Sequence, residues 1–141
     1  MMALEQQSPA AAHWSQRQYE ALFVTTNREQ RSESLAWIAE EQDEAAGILA
    51  FMVAHQLDTE WELQNIVVAE AALRRGIGTQ LLGELVAHAR AAQGNCIFLE
   101  VRQSNHRARA LYRKMGFEET GLRKSYYPHP SEDAILCRLR L

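Results

Sequence analysis

Two arginines and two closely spaced glycines, Arg74-Arg75-Gly76-Ile77-Gly78-Thr79, stand directly before an apolar pattern of helical period. The first turn of a helix exposes about four unpaired N–H groups and carries roughly half a positive charge. Glycine there lets an anion approach the backbone, and the guanidinium groups add charge, so the run is suited to a phosphate. Three arrangements compete. A Walker loop needs Gly-x4-Gly-Lys-Ser/Thr, and the chain has no such run. A dinucleotide fingerprint needs a third glycine where Leu81 stands, although Glu100 lies about twenty residues on, where a ribose-binding acid belongs. That motif turns tightly from strand to helix, whereas residues 69–75 separate Val68 from Gly76 here. The third arrangement is a pyrophosphate loop that follows a wider strand–helix connection.

Other residue types narrow the chemistry. His13, His55, His88, His106 and His129 are scattered without metal-ligand spacing, so no metal site is expected. Cys96 and Cys137 sit singly in apolar, strand-like runs with no Cys-x-x-Cys, as buried reduced thiols of a cytoplasmic protein do. The N-terminal residues lack the basic and apolar regions of a signal peptide. The longest apolar run, residues 48–54, is too short to span a bilayer. The net charge of −3 conceals a segregation: residues 1–70 hold 3 arginines and 12 acidic residues, residues 71–141 hold 12 basic and 6 acidic ones. Either this is a solvated surface with uneven charge, or the C-terminal half holds an anion and the N-terminal half attracts a cation. An acidic chain whose arginines are not interleaved with aromatics is a poor fit to nucleic acid.

The elements that must position these residues follow from pattern. With 141 residues and 47% hydrophobic content, the chain fits one domain with its own core. Residues 1–13 are expected to be loose or partly helical, and Ser15 to cap a short helix reaching about Val24. Residues 35–40, 47–54 and 60–68 predict an antiparallel meander, with a turn at residues 42–44. Ile77, Leu81, Leu82, Leu85 and Ala89 then recur at helical spacing over residues 76–92, and Gly94 is expected to stop that helix. Residues 96–101 predict a strand, and Ala108, Leu111, Tyr112 and Met115 mark a helix over residues 105–115 that Gly116 ends. Residues 117–127 and 134–141 predict a last antiparallel pair. The sum is a mixed sheet with helices packed on it.

Five pieces, in order, carry a resemblance. They are Asn65-Ile66-Val67-Val68; Leu73-Arg74-Arg75-Gly76-Ile77-Gly78; Leu99-Glu100-Val101-Arg102-x-Ser104-Asn105; Ala110-Leu111-Tyr112-x-x-x-Gly116-Phe117; and Tyr126-Tyr127-Pro128 with Glu132-Asp133-Ala134. The chain resembles the GNAT family of N-acetyltransferases, nearest its RimI type, which acetylates the N-terminal alanine of a small-subunit ribosomal protein. The likeness is strong over residues 60–141 and weak before them. It implies an α/β (α+β) GNAT fold, a single domain over residues 1–141, and a mostly antiparallel sheet flanked by helices but lacking the family's first strand. It also implies acetyl-CoA as co-substrate, no metal, a cytoplasmic location and a protein or peptide N-terminus as acceptor, with a ribosomal protein as one candidate.

Roles follow from the same resemblance. Arg74, Arg75, Gly76, Ile77, Gly78 and Thr79 would hold the pyrophosphate. The backbone of Ile66, Val67 and Val68 would pair with the pantetheine as an added strand does. Asn105 would cap its helix and bond the cofactor. Glu100 would be the general base and Tyr112 the general acid. Structural roles remain alongside: residues 66–68 as a core strand, Glu100 as a strand-end charge, Tyr112 as a core tyrosine. The segment from Tyr126 to Pro130 would be a loop over the acceptor groove; from charge alone, and not from the resemblance, the acidic N-terminal half with Glu60 and Glu62 would attract a cationic peptide. Leu73 stands where the family usually has Gln or Arg, and the N-terminal region that shapes the acceptor groove in relatives is short. Acetylation of a small amine or a lysine side chain, and a non-catalytic acyl-CoA-binding module, are the alternatives. Mere binding would need neither Glu100 nor Tyr112.

Overall fold

A computed structural model describes residues 1–7, 15–21, 32–41 and 47–141. Two short helices, α1 (Met2–Gln6) and α2 (Gln16–Ala21), precede the meander β1 (Ser32–Glu40), β2 (Ile48–Leu57) and β3 (Glu60–Val68). Helix α3 (Ile77–Ala91), strand β4 (Cys96–Arg102), helix α4 (His106–Lys114) and the hairpin β5 (Glu118–Pro128) and β6 (Ser131–Arg140) follow. All strands join one sheet in the order β1-β2-β3-β4-β6-β5. Among the described residues only β3 and β4 run parallel, and α3 makes their crossover. The expected turn at residues 42–44 and the expected end of α2 near Val24 lie outside the described residues.

One face of the sheet carries α3 and α4. The predicted stripe Ile77, Leu81, Leu82, Leu85 and Ala89 is buried in a core that includes Met52, Trp61, Ile97 and Leu99. The ring of His88 meets the edges of Trp37 and Trp61, at centroid distances of 5.8 and 5.3 Å. On the opposite face, Met1, Met2 and Leu4 pack on Phe51, Val53 and Val67. There the Asn65 Nδ2 donates to the Oε1 of buried Glu5 at 2.6 Å. The start of the chain is therefore helical where it is described, and it covers β3. At α2 the Gln18 side chain reaches back to accept from the Ser15 N at 2.8 Å, half of a capping box.

The end of α3 differs from expectation. The left-handed residue is Gln93, at φ 57, and not Gly94. Gly94 serves close packing instead: a Cβ there would stand 2.9 Å from the Ala89 carbonyl and 3.0 Å from two atoms of the Trp61 ring. In the terminal hairpin Tyr126 and Tyr127 belong to β5, as the strand expected over residues 117–127 has them, and so does Pro128, which leaves only His129 and Pro130 of the loop expected over residues 126–130.

Candidate active site

The site begins with a defect in pairing. Along β2, Ala54 faces Leu63 and Val53 faces Asn65, so Gln64 is an extra residue in β3. A bulge of this kind bends its strand and sharpens the twist. The β3–β4 ladder runs from Glu60 opposite Cys96 to Leu63 opposite Leu99 and ends at that point. Beyond it β3 stays with β2 to Val68, while β4 stays with β6 to Arg102. The sheet thus opens as a wedge. Ile66, Val67 and Val68 form one wall, their outer backbone edge released from β4.

A cavity of about 690 Å³ fills this wedge. Ile66, Val67, Val68, Arg74, Gly76, Ile77, Gly78, Thr79, Asn105 and Tyr112 all line it. The 3-10 turn Glu70–Ala72 leads from β3 toward α3, and Arg74 and Gly76 then take left-handed backbone at φ 64 and 80. Gly76 is the N-cap of α3, and among the described residues no side chain caps the N–H groups of that first turn. Gly78 has a different reason: a Cβ there would press on Leu111 Cδ2 at 3.2 Å, so glycine lets α4 close on α3. Arg75 lies outside the cavity, with its guanidinium 3.1 Å from Glu41 at the surface. Gln7, Glu70, Leu73, Arg107, Ala108 and Leu111 complete much of the lining. Sequence reasoning gave the last two as apolar-stripe residues, and nothing in the pattern marked Gln7 or Arg107.

Asn105 caps α4 by accepting from the Ala108 N at 3.1 Å. This aims the helix's first turn into the cavity and sets Tyr112 at its inner end. Burial, aided by the nearby Cys137 and Tyr127 groups, pushes the Tyr112 hydroxyl well above the ordinary tyrosine range. A tyrosine hydroxyl is protonated at neutral pH in any case, so a proton is present for a leaving group, and burial makes it harder, not easier, to give up. The ring leans on Phe117 at 5.8 Å.

Glu100 does not line that cavity. Strand alternation puts Ile97, Leu99 and Val101 in the core under α3 and α4, and so turns Glu100 and Arg102 to the other face. There Glu100 Oε1 lies 2.7 Å from Arg123 Nη1. The neighbouring Glu100 carboxylate is the main cause that raises the Tyr126 pKa above the ordinary tyrosine value. The Arg102 guanidinium is engaged elsewhere, 4.0 Å over the Tyr127 ring and 3.4 Å from Glu132. Burial, offset in part by Arg102, pushes Tyr127 up to about 12. Of the two acidic residues expected to draw a cation, Glu60 is paired with Arg138 at 3.4 Å. The acid and base candidates thus stand on opposite faces of the sheet, separated by the wedge.

A mixed sheet parted between two parallel strands, with an uncapped helix N-terminus and a buried tyrosine in the gap, is the arrangement of a CoA-dependent acyltransferase fold. Residues 2–117 match the Acetyltransferase (GNAT) family, and the chain belongs to it. The N-alpha-acetyltransferase RimI of Mycobacterium tuberculosis is 46% identical over 79 residues, which is 56% of this chain and 48% of that protein. The ribosomal protein bS18-alanine N-acetyltransferase of Haemophilus ducreyi is 38% identical over 104 residues, 72% of this chain and 70% of that enzyme. The match thus spans about half of the first relative and somewhat over two thirds of the second. Among solved structures, the ribosomal-protein-S18-alanine N-acetyltransferase of Escherichia coli superposes with a TM-score of 0.80 at 29% identity, covering 99% of this chain and 84% of that one.

Proposed function

We propose that the protein transfers the acetyl group of acetyl-CoA to the N-terminal α-amine of a protein, with alanine favoured and a ribosomal protein as the acceptor class. The observation that carries this is the wedge itself. It joins an uncapped helix N-terminus, a released strand edge and a protonated tyrosine in one cavity. The relatives named for alanine N-acetylation support the choice of acceptor.

The donor would lie with its pyrophosphate on the N–H groups of Ile77, Gly78 and Thr79, beside Arg74, and its extended arm along residues 66–68. It supplies an activated acetyl group. An ammonium has no free lone pair, so Glu100 takes its proton, directly or through a water, before the nitrogen attacks. Tyr112 then protonates the departing sulfur. An α-amine with pKa near 8 is neutral to about one part in ten at pH 7, a lysine to about one in a few thousand, so a terminal amine asks less of the base. The reading is tested with three acceptors: a peptide beginning with alanine, the same peptide with its α-amine blocked and one lysine free, and a polyamine. Acetylation of the first alone is expected. Transfer only to lysine or polyamine would replace the acceptor, and none at all, with acetyl-CoA bound, would favour a binding module.

A further inference from the structure

The contact between Glu100 and Arg123 occupies the place where the acceptor must come. Resting on the proposed role of Glu100 as base, we propose that Arg123 is a resident counter-ion that the acceptor's ammonium displaces, so that it sets acceptor affinity. Glu100 has a side chain only 20% exposed, and its Oε1 is held at 2.7 Å by the Arg123 Nη1. The Tyr126 side chain stands close enough for the same carboxylate to raise its pKa. An incoming ammonium has either to share this carboxylate with Arg123 or to displace it from Oε1.

The fold puts Arg123 there and leaves it free to go. On β6, Leu136 stands between Glu100 and Gly121, and Ala134 between Arg102 and Arg123. The single methyl of Ala134 leaves room for the guanidinium to cross β6 diagonally. Beyond Arg123 the β5–β6 register breaks until Tyr127, with Ser125 at φ 50 and its N–H on Asp133 Oδ1 at 2.7 Å. Tyr126 lies within that irregularity, near the same carboxylate. Arg102 cannot substitute, since Glu132 and the Tyr127 ring already hold it. Arg123 itself is 56% exposed and lies on an edge strand. Its guanidinium is 5.2 Å from the Tyr126 ring centroid, a contact it can keep after leaving Glu100.

The exchange is one cation for another, with no bond made or broken. A half-exposed pair formed about four-fifths of the time lowers apparent acceptor affinity about fivefold. Arg123→Ala is therefore expected to lower the KM for an alanine-initial peptide about fivefold and to leave the KM for acetyl-CoA unchanged. Arg123→Lys should restore the wild-type acceptor KM. Guanidinium ion should inhibit Arg123→Ala competitively against the peptide and affect the wild type far less. An acceptor KM that stays the same or rises in Arg123→Ala would overturn the proposal. Titration of the peptide into CoA-loaded protein reads the same affinity change without turnover. A wild type that transfers nothing would sink the proposed function, whereas normal transfer with unmoved peptide affinity would sink only the role of Arg123.

Discussion

In the proposed donor site, Gly76 is the point where backbone conformation and donor binding would meet. Its φ of 80 places the N-cap of α3 in the left-handed region, and a Cβ built there meets nothing within 4 Å. The cost of Gly76→Ala is thus conformational and not steric, about 1–2 kcal/mol for an L-residue held left-handed. That cost has two outlets. If the loop keeps its shape, stability falls, and the melting temperature drops by about 3–8 °C. If the loop relaxes, the N–H groups of Ile77, Gly78 and Thr79 turn from the phosphate, and acetyl-CoA binds about 5–30-fold more weakly. Thermal melts and calorimetric titration with acetyl-CoA, run on the same sample, read both outlets. Gly76→Asn is expected to lose markedly less than Gly76→Ala, because asparagine tolerates this conformation. Equal losses in the two variants, or no change in either measurement for alanine, would refute the reasoning.

Three further outcomes follow from other parts of the molecule. Tyr112→Phe keeps the buried ring against Phe117 and should cut turnover by about 10²–10⁴ while acetyl-CoA affinity holds; steady-state rates and calorimetry check this. Gly94→Ala, which forces a methyl against Ala89 and the Trp61 ring, should cost about 1–3 kcal/mol in denaturant unfolding. The Arg109 guanidinium, bonded to Glu119 at 2.9 and 3.1 Å, holds that carboxyl below the usual range, so its stabilising effect is present above the unfolded-state pKa and is lost as pH falls through the lower folded value. The wild type should accordingly lose melting temperature more steeply below about pH 4 than Glu119→Gln does.

Periodicity made much of this fold readable. The stripe on α3 is buried as its spacing predicts, and β3 has the expected limits. Those features depend on local pattern and on burial of one face, which a sequence carries directly. The wedge depends on Gln64 being the extra residue of β3, and one glutamine in an alternating run gives no sign of a bulge. Adjacent Arg74 and Arg75 read alike, yet the left-handed turn at Arg74 sends one to the cavity and the other to Glu41. Gly94 follows the end of α3 and closes it with its N–H on the Ala89 carbonyl at 2.8 Å, but Gln93 and not the glycine adopts the left-handed backbone, and Trp61 claims the space above Gly94. The resemblance singled out Glu100 and Tyr112 individually. Their placement on opposite faces, and the hold of Arg123 on Glu100, arise from strand order and register, which join residues distant in the chain.

The most direct test of the account is the amide NMR spectrum of the protein on titration with acetyl-CoA. The largest shifts and new exchange protection are expected at Ile77, Gly78 and Thr79 and along residues 66–68, with smaller changes reaching Asn105 and Tyr112. Binding that leaves those amides unmoved and perturbs another surface would contradict it.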